Sequence, residues 1–152
     1  MRGARLAAAP QRTLGVRASA LLGTYAATLA VMVALDFLWL GVVAKPIYQR
    51  GIGHLMAAEP RLAIAVLFYL LFALGLVIFA VLPNGASAGW GRTAGLAALF
   101  GFFAYATYDL TNLATLKDWP VGLSMLDMAW GSAVSAASAC AGKAAWDYLS
   151  AA

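Results

Sequence analysis

Apolar residues fall along this chain in four runs of about 20, separated by short polar interruptions. About 20 apolar residues, at 1.5 Å of rise each, cross the hydrocarbon core of a bilayer. The pattern predicts helices at about 20–43, 61–82, 93–116 and 121–142. The first run continues through Phe37, Leu38, Trp39, Leu40 and Val43. It is too long for the apolar core of a cleaved signal peptide, which is about 7–15 residues. The Pro83-Asn84-Gly85 turn closes the second run. A short loop on Lys117-Asp118-Trp119-Pro120 makes the third and fourth an antiparallel hairpin. The expected fold class is all-α, an integral membrane bundle of four transmembrane helices, forming one domain over 19–148.

Residues 1–18 break the pattern. They are basic, free of acids and rich in Ala and Gly, and are expected to form a disordered arm. The loop from Ala44 to Pro60 is broken by Gly51 and Gly53, while Ile52, Leu55 and Met56 give it an apolar side. It is expected to lie along the membrane interface as a short amphipathic turn.

Composition agrees with this reading. The chain is 64% hydrophobic and 11% charged, against about 45–50% and about 25% in soluble domains. The net charge of +4 comes mostly from Arg2, Arg5, Arg12 and Arg17, a topology or anionic-lipid signal rather than a nucleic-acid surface. With the N-terminus inside, Arg2, Arg5, Arg12, Arg17, Arg92 and Lys143 fall on the inner side. Lys45, Arg50, Arg61 and Lys117 fall on the outer side. Both termini are therefore predicted to be cytoplasmic. Cys140 stands alone and forms no internal disulfide, and His54 is the one histidine. Neither a metal site nor a cofactor is expected from so few soft ligands.

Three of the six acidic residues lie inside the apolar runs: Asp36, Asp109 and Asp127. An acid in the hydrocarbon region is unfavourable unless it meets a partner or water. Each lies about six or seven residues from the outer end of its run, so all three sit roughly 10 Å below the same boundary. Helical spacing gives them neighbours. Tyr105, Tyr108, Asp109 and Asn112 share one face of the third helix, beside a stripe of Thr107, Thr111 and Thr115. Ser124, Asp127, Gly131, Ser135 and Ser138 share a face of the fourth. Asp36 and Trp39 share one on the first, and the Trp130 indole lies a turn from Asp127. The expected polar intramembrane site is Asp36, Trp39, Tyr105, Tyr108, Asp109, Asn112, Asp127 and Trp130. Lys45, Arg61 and Lys117 are expected at its rim, reaching inward from the boundary. Buried Asp, Asn, Tyr and Trp also serve membrane bundles as hydrogen-bonding glue. A protonated aspartate donating to Asn112 or Tyr108 would be such a clamp.

Several stretches carry a resemblance. Tyr105-Ala106-Thr107-Tyr108-Asp109-Leu110-Thr111-Asn112-Leu113-Ala114-Thr115 is one, and Asp127-Met128-Ala129-Trp130-Gly131 another. With Asp36-Phe37-Leu38-Trp39-Leu40-Gly41 and Lys45-Pro46-Ile47-Tyr48, they resemble the bacterial membrane-protein family called domain of unknown function 2177. The resemblance spans roughly residues 20–145 and implies a small four-span protein of the bacterial inner membrane. It implies no particular activity or cofactor.

Two classes of function stay open. In the first, the chain is no enzyme. Its polar site binds or transports a small cation, a proton or a lipid headgroup, or the chain is a subunit for a membrane partner or a second copy of itself. In the second, it is a membrane enzyme acting on a lipid or isoprenoid, with the aspartates as acid/base groups or as a Mg²⁺ site with Asn112. The enzyme reading is the weaker. The chain has no Asp-x-x-Asp pair, no His cluster, no GxSxG and no phosphate-cradling glycine loop.

Overall fold

The computed structural model describes residues 8–85 and 89–151, with side chains from Arg17 onward. Every regular element among them is helical. Helix α1 runs Ala8–Leu38 and widens into a π-helical turn at Trp39–Val43. Helix α2 is the short Lys45–Ile52. Helix α3, Leu62–Leu76, also widens into a π-helical turn, at Val77–Val81. Helices α4, Trp90–Thr115, and α5, Val121–Ala151, form the hairpin. Its turn takes a positive φ at Asp118, a conformation that Asp tolerates better than most residues.

Two boundaries differ from the pattern-based ones. The segment expected to be a disordered arm is helical from Ala8, while Arg2 and Arg5 lie outside the described residues. Alanine is the best helix former, and Pro10 falls in the first turn, where no intrahelical N–H is required of it. The last helix continues to Ala151 instead of ending near residue 142. Its extra turns are held by Lys143, considered below.

Two helical segments, Arg17–Val43 and Leu62–Asn84, are long and apolar enough to cross a membrane. Only 17% and 33% of their most apolar windows are buried within the molecule. Their apolar side chains thus face outward, the opposite of a soluble core helix. Helices α4 and α5 are as long, at 26 and 31 residues, but carry more glycine, serine and threonine.

That composition has a packing reason. Every fourth residue of α1 from Ala20 to Asp36 is buried, namely Ala20, Thr24, Thr28, Met32 and Asp36. This stripe lies against α5, where a Cβ on Gly142 would stand 2.1 Å from the Thr28 hydroxyl. Helix α4 meets α5 about three turns earlier along it. A Cβ on Gly101 would stand 2.1 Å from the Gly131 carbonyl oxygen, and one on Gly131 would enter the Tyr105 ring. Small residues let these backbones touch, as membrane helices commonly do. The middle of α1 meets the end of α5, with Leu149 against Gly23. A core of Met32, Phe72, Leu76, Val81, Ala97 and Val134 fills the middle of the bundle.

Helix α3 packs unevenly. Its second half and the following π-turn are buried through Phe72, Ala73, Leu76, Val77, Ala80 and Val81. Its first half diverges, leaving Leu62, Ile64, Val66 and Leu67 exposed. The gap between this half and the other helices becomes the cavity described next.

The glycine contact gives the first testable prediction. Gly101→Ala places a methyl against backbone that cannot swing aside, and overpacking of this kind costs about 1–3 kcal/mol. Thermal unfolding in detergent should show a clearly lowered midpoint. Gly122→Ala, with open space at its Cβ, should match or slightly exceed the parent because alanine favours the helix. Equal midpoints for the parent and Gly101→Ala would show that α4 and α5 are further apart than described.

Candidate functional site

A cavity of about 660 Å³ lies between the first half of α3 and the remaining helices, within the usual size range of ligand pockets. Asp36, Trp39 and Leu40 reach it from α1 and its π-turn, and Tyr48 from α2. Helix α3 contributes Arg61 at its start, then Ile64, Ala65, Phe68, Tyr69 and Phe72. Tyr105 and Tyr108 come from α4, Asp127 and Trp130 from α5.

Two carboxyls form its polar part, and each is held by a donor from another helix. The Trp130 indole Nε1 donates to Asp36 Oδ1 at 2.8 Å, and the Tyr69 phenol stands beside the same carboxyl. The Tyr48 hydroxyl donates to Asp127 Oδ1. Trp39 stacks on Trp130 with ring centroids 4.3 Å apart and planes within 6° of parallel. The stack fixes the indole that holds Asp36. The π-turn of Trp39–Val43 is closed by the Ala44 N–H donating to the Trp39 carbonyl at 2.7 Å. Such turns re-aim side chains locally and are frequent at functional sites.

Helix α2 seats this arrangement from above. Ile52 packs with Trp119 and Leu123, with Ile47, Tyr48 and Leu113 around them. The expected interfacial turn is thus a strap across the α4–α5 end of the bundle. Burial, followed by the hydrogen bond to Asp127 and its charge, raises the Tyr48 phenol above its ordinary value of 10.0. The phenol therefore remains a donor throughout the neutral range.

The expected three-acid layer is divided. Asp36 and Asp127 line the cavity, as do Trp39, Tyr105, Tyr108 and Trp130. Asp109 does not: it is fully buried behind them, and neither of its oxygens has a hydrogen-bond partner among the described residues. Ser124 and Trp119 are its polar neighbours, but they bond to each other, the Trp119 Nε1 donating to Ser124 Oγ at 3.0 Å. Neither Asn112 nor Tyr108 bonds to the Asp109 carboxyl. Asn112 is half-buried and also outside the cavity lining. Of the expected rim, Arg61 reaches the cavity, while Lys45 and Lys117 are exposed and outside its lining. The threonine stripe points outward. Thr107, Thr111 and Thr115 donate to the carbonyls four residues before them, a self-contained arrangement.

The α3 wall went unread in the sequence, where this run stood out only as the one without an acid. Ile64, Ala65, Phe68, Tyr69 and Phe72 nevertheless follow the i, i+4 spacing of one helix face, and Tyr69 is the one polar residue among them. That phenol was the available signal.

Polar groups at the other end of the bundle are matched differently. Lys143 is 1% exposed, and its ammonium donates to Asp147 Oδ1 at 3.0 Å and to the Gly85 carbonyl at 2.9 Å. Gly85 has φ +40°, which glycine adopts without a Cβ penalty. A residue expected to mark an inner boundary is thus a buried tie between α5 and the turn after α3.

The fold and cavity define a helical membrane protein with a polar, aromatic-walled recess beside one of its helices. The chain belongs to the family described as predicted membrane protein (DUF2177), whose sequence profile matches residues 21–144. No curated protein and no solved structure matches the chain.

Tyr48→Phe tests the strap. The change removes a charge-assisted hydrogen bond and leaves a buried carboxyl oxygen without its donor, a loss of about 1–3 kcal/mol. Backbone amides of 45–52 should then exchange hydrogen faster, with little change in α4 and α5. Because the folded phenol's pKa is raised, the parent's advantage is complete below the unfolded value near 10 and declines as pH rises beyond it. An unchanged exchange rate in Tyr48→Phe would mean that apolar packing alone seats α2.

Proposed function

We propose that this chain is a bacterial inner-membrane protein of four spans, with both termini in the cytoplasm, whose cavity binds the cationic group of an amphipathic molecule. The observation that carries this reading is an imbalance of charge. Asp36 and Asp127 line one recess, and no Lys or Arg among the described residues lies within ion-pair distance of either. A ligand that brings its own positive charge satisfies both.

The walls support the same choice. Trp39, Trp130, Tyr48, Tyr69 and Tyr105 surround the carboxyls, and aromatic faces attract ammonium groups within about 6 Å of the ring centroid. The apolar portion contributed by Ile64, Phe68 and Phe72 suits a hydrocarbon attached to the cation. Helices α4 and α5 act as the third and fourth spans in this reading. Asp109, Ser124, Asp127, Ser135 and Ser138 are turned inward, and the outward threonines bond to their own helix, so low hydropathy is no obstacle to spanning. Buffering a proton alone would not need an aromatic enclosure of this size.

Topology has a direct check. A reporter fused after Ala152 should be active in the cytoplasm, and one placed in the 117–118 loop should be active outside. The reverse pattern would invert the proposed orientation.

Binding has its own test. Purified protein in an uncharged detergent is titrated calorimetrically with decyltrimethylammonium and with decanol as the neutral comparison. The ammonium compound should bind and decanol should not. Asp36→Asn and Asp127→Asn should each weaken binding about ten- to hundredfold, the effect of removing a charged hydrogen-bonding partner. Equal heats for the two compounds, or affinities unaffected by both substitutions, would remove the charge-recognition reading.

A further inference from the structure

The cavity also holds donors that the two carboxyls do not use. Arg61 begins α3 on the cavity wall, and no carboxylate among the described residues lies within ion-pair distance of its guanidinium. Arg61 offers the forked donor geometry that suits planar carboxylates and phosphates. Acceptors for its guanidinium are therefore expected from the ligand, together with the positive charge that Asp36 and Asp127 call for.

The opening indicates where such a ligand comes from. Several residues that line the cavity are also open to the outside: Ile64 is 62% exposed, Phe68 43% and Tyr108 53%. They lie partway along α3 and α4, so the opening is on the flank of the bundle. On a membrane helix that flank faces lipid, while Arg61 sits at the helix end, where headgroups lie. The cavity is wide enough to take a headgroup and the first part of an attached chain.

We propose that the occupant is the headgroup of an amino-phospholipid, entering sideways along α3. Its ammonium is held between Asp36 and Asp127, and its phosphate oxygens accept from Arg61. The proposal rests on the cation-binding reading above and adds the phosphate, the lipid source and the residues that recognise them.

The test compares probes on the full chain in uncharged detergent, by calorimetry. Short-chain phosphatidylethanolamine carries phosphate and amine, short-chain phosphatidylglycerol carries phosphate alone, and decylamine carries amine alone. Soluble phosphoethanolamine carries both groups without a chain. Phosphatidylethanolamine is expected to bind about ten- to hundredfold more tightly than either single-group amphiphile, the range for one charge-assisted hydrogen-bonded contact. Arg61→Gln, at an exposed position outside the packed core, should collapse the ratio between phosphatidylethanolamine and decylamine. Decylamine binding as tightly as phosphatidylethanolamine, with no response to Arg61→Gln, would overturn the phosphate assignment and leave cation binding intact. Failure of every amine probe would overturn the cation reading itself. Phosphoethanolamine binding as tightly as the lipid would overturn the lipid source, because the chain would then contribute nothing.

Discussion

A carboxyl that enters an apolar bundle has to be met by a donor, because solvating water is scarce there and an unmet charge is costly. Much of this structure follows from how that condition is fulfilled at the cavity. Trp130 reaches across from α5 to Asp36 on α1, and Tyr48 reaches from α2 to Asp127 on α5. These bonds tie three separate helices to one another. They also place two acids on a common wall while leaving them without a basic partner among the described residues. The Trp39–Trp130 stack fixes one of the donors, and the Ile52–Trp119–Leu123 contact positions the helix that carries the other.

Small residues make this convergence feasible. Side chains as short as aspartate can meet partners from other helices only where backbones come close. The Gly101–Gly131 and Gly142–Thr28 approaches bring α4 and α1 against α5 at levels about three turns apart. The first half of α3 has no such glycine approach, and the recess lies beside it.

The two ends of the bundle treat charge in opposite ways. Lys143 and Asp147 neutralise each other within one helix, and the ammonium also holds the Gly85 carbonyl. At the cavity, Asp36, Asp127 and Arg61 line one volume without pairing among the described residues. A paired lysine is a structural tie, whereas separated charges around an open volume are a recognition surface. Asp109 belongs to neither arrangement. It is enclosed beside Ser124 and Trp119, which satisfy each other instead.

The sequence by itself determined the helices and the family. Hydropathy of the first two runs, the breaking turn at Pro83-Asn84-Gly85 and the short 117–120 loop are local properties, and each is set by residues adjacent in the chain. It also indicated that Asp36 and Asp127 would be turned inward, because an acid in an apolar run needs a polar partner or water. Only the tertiary structure decided which groups meet. Trp130 lies a turn from Asp127 but bonds to Asp36, 94 residues away. Asp109 matches the other two acids in depth but is rotated out of the cavity, since depth along a helix says nothing about its azimuth. Tyr48 and Tyr69 joined the expected Arg61 at the site because α2 folds back over the bundle and the first half of α3 flanks the cavity. Both movements follow from packing between helices, a property that no single run of residues carries.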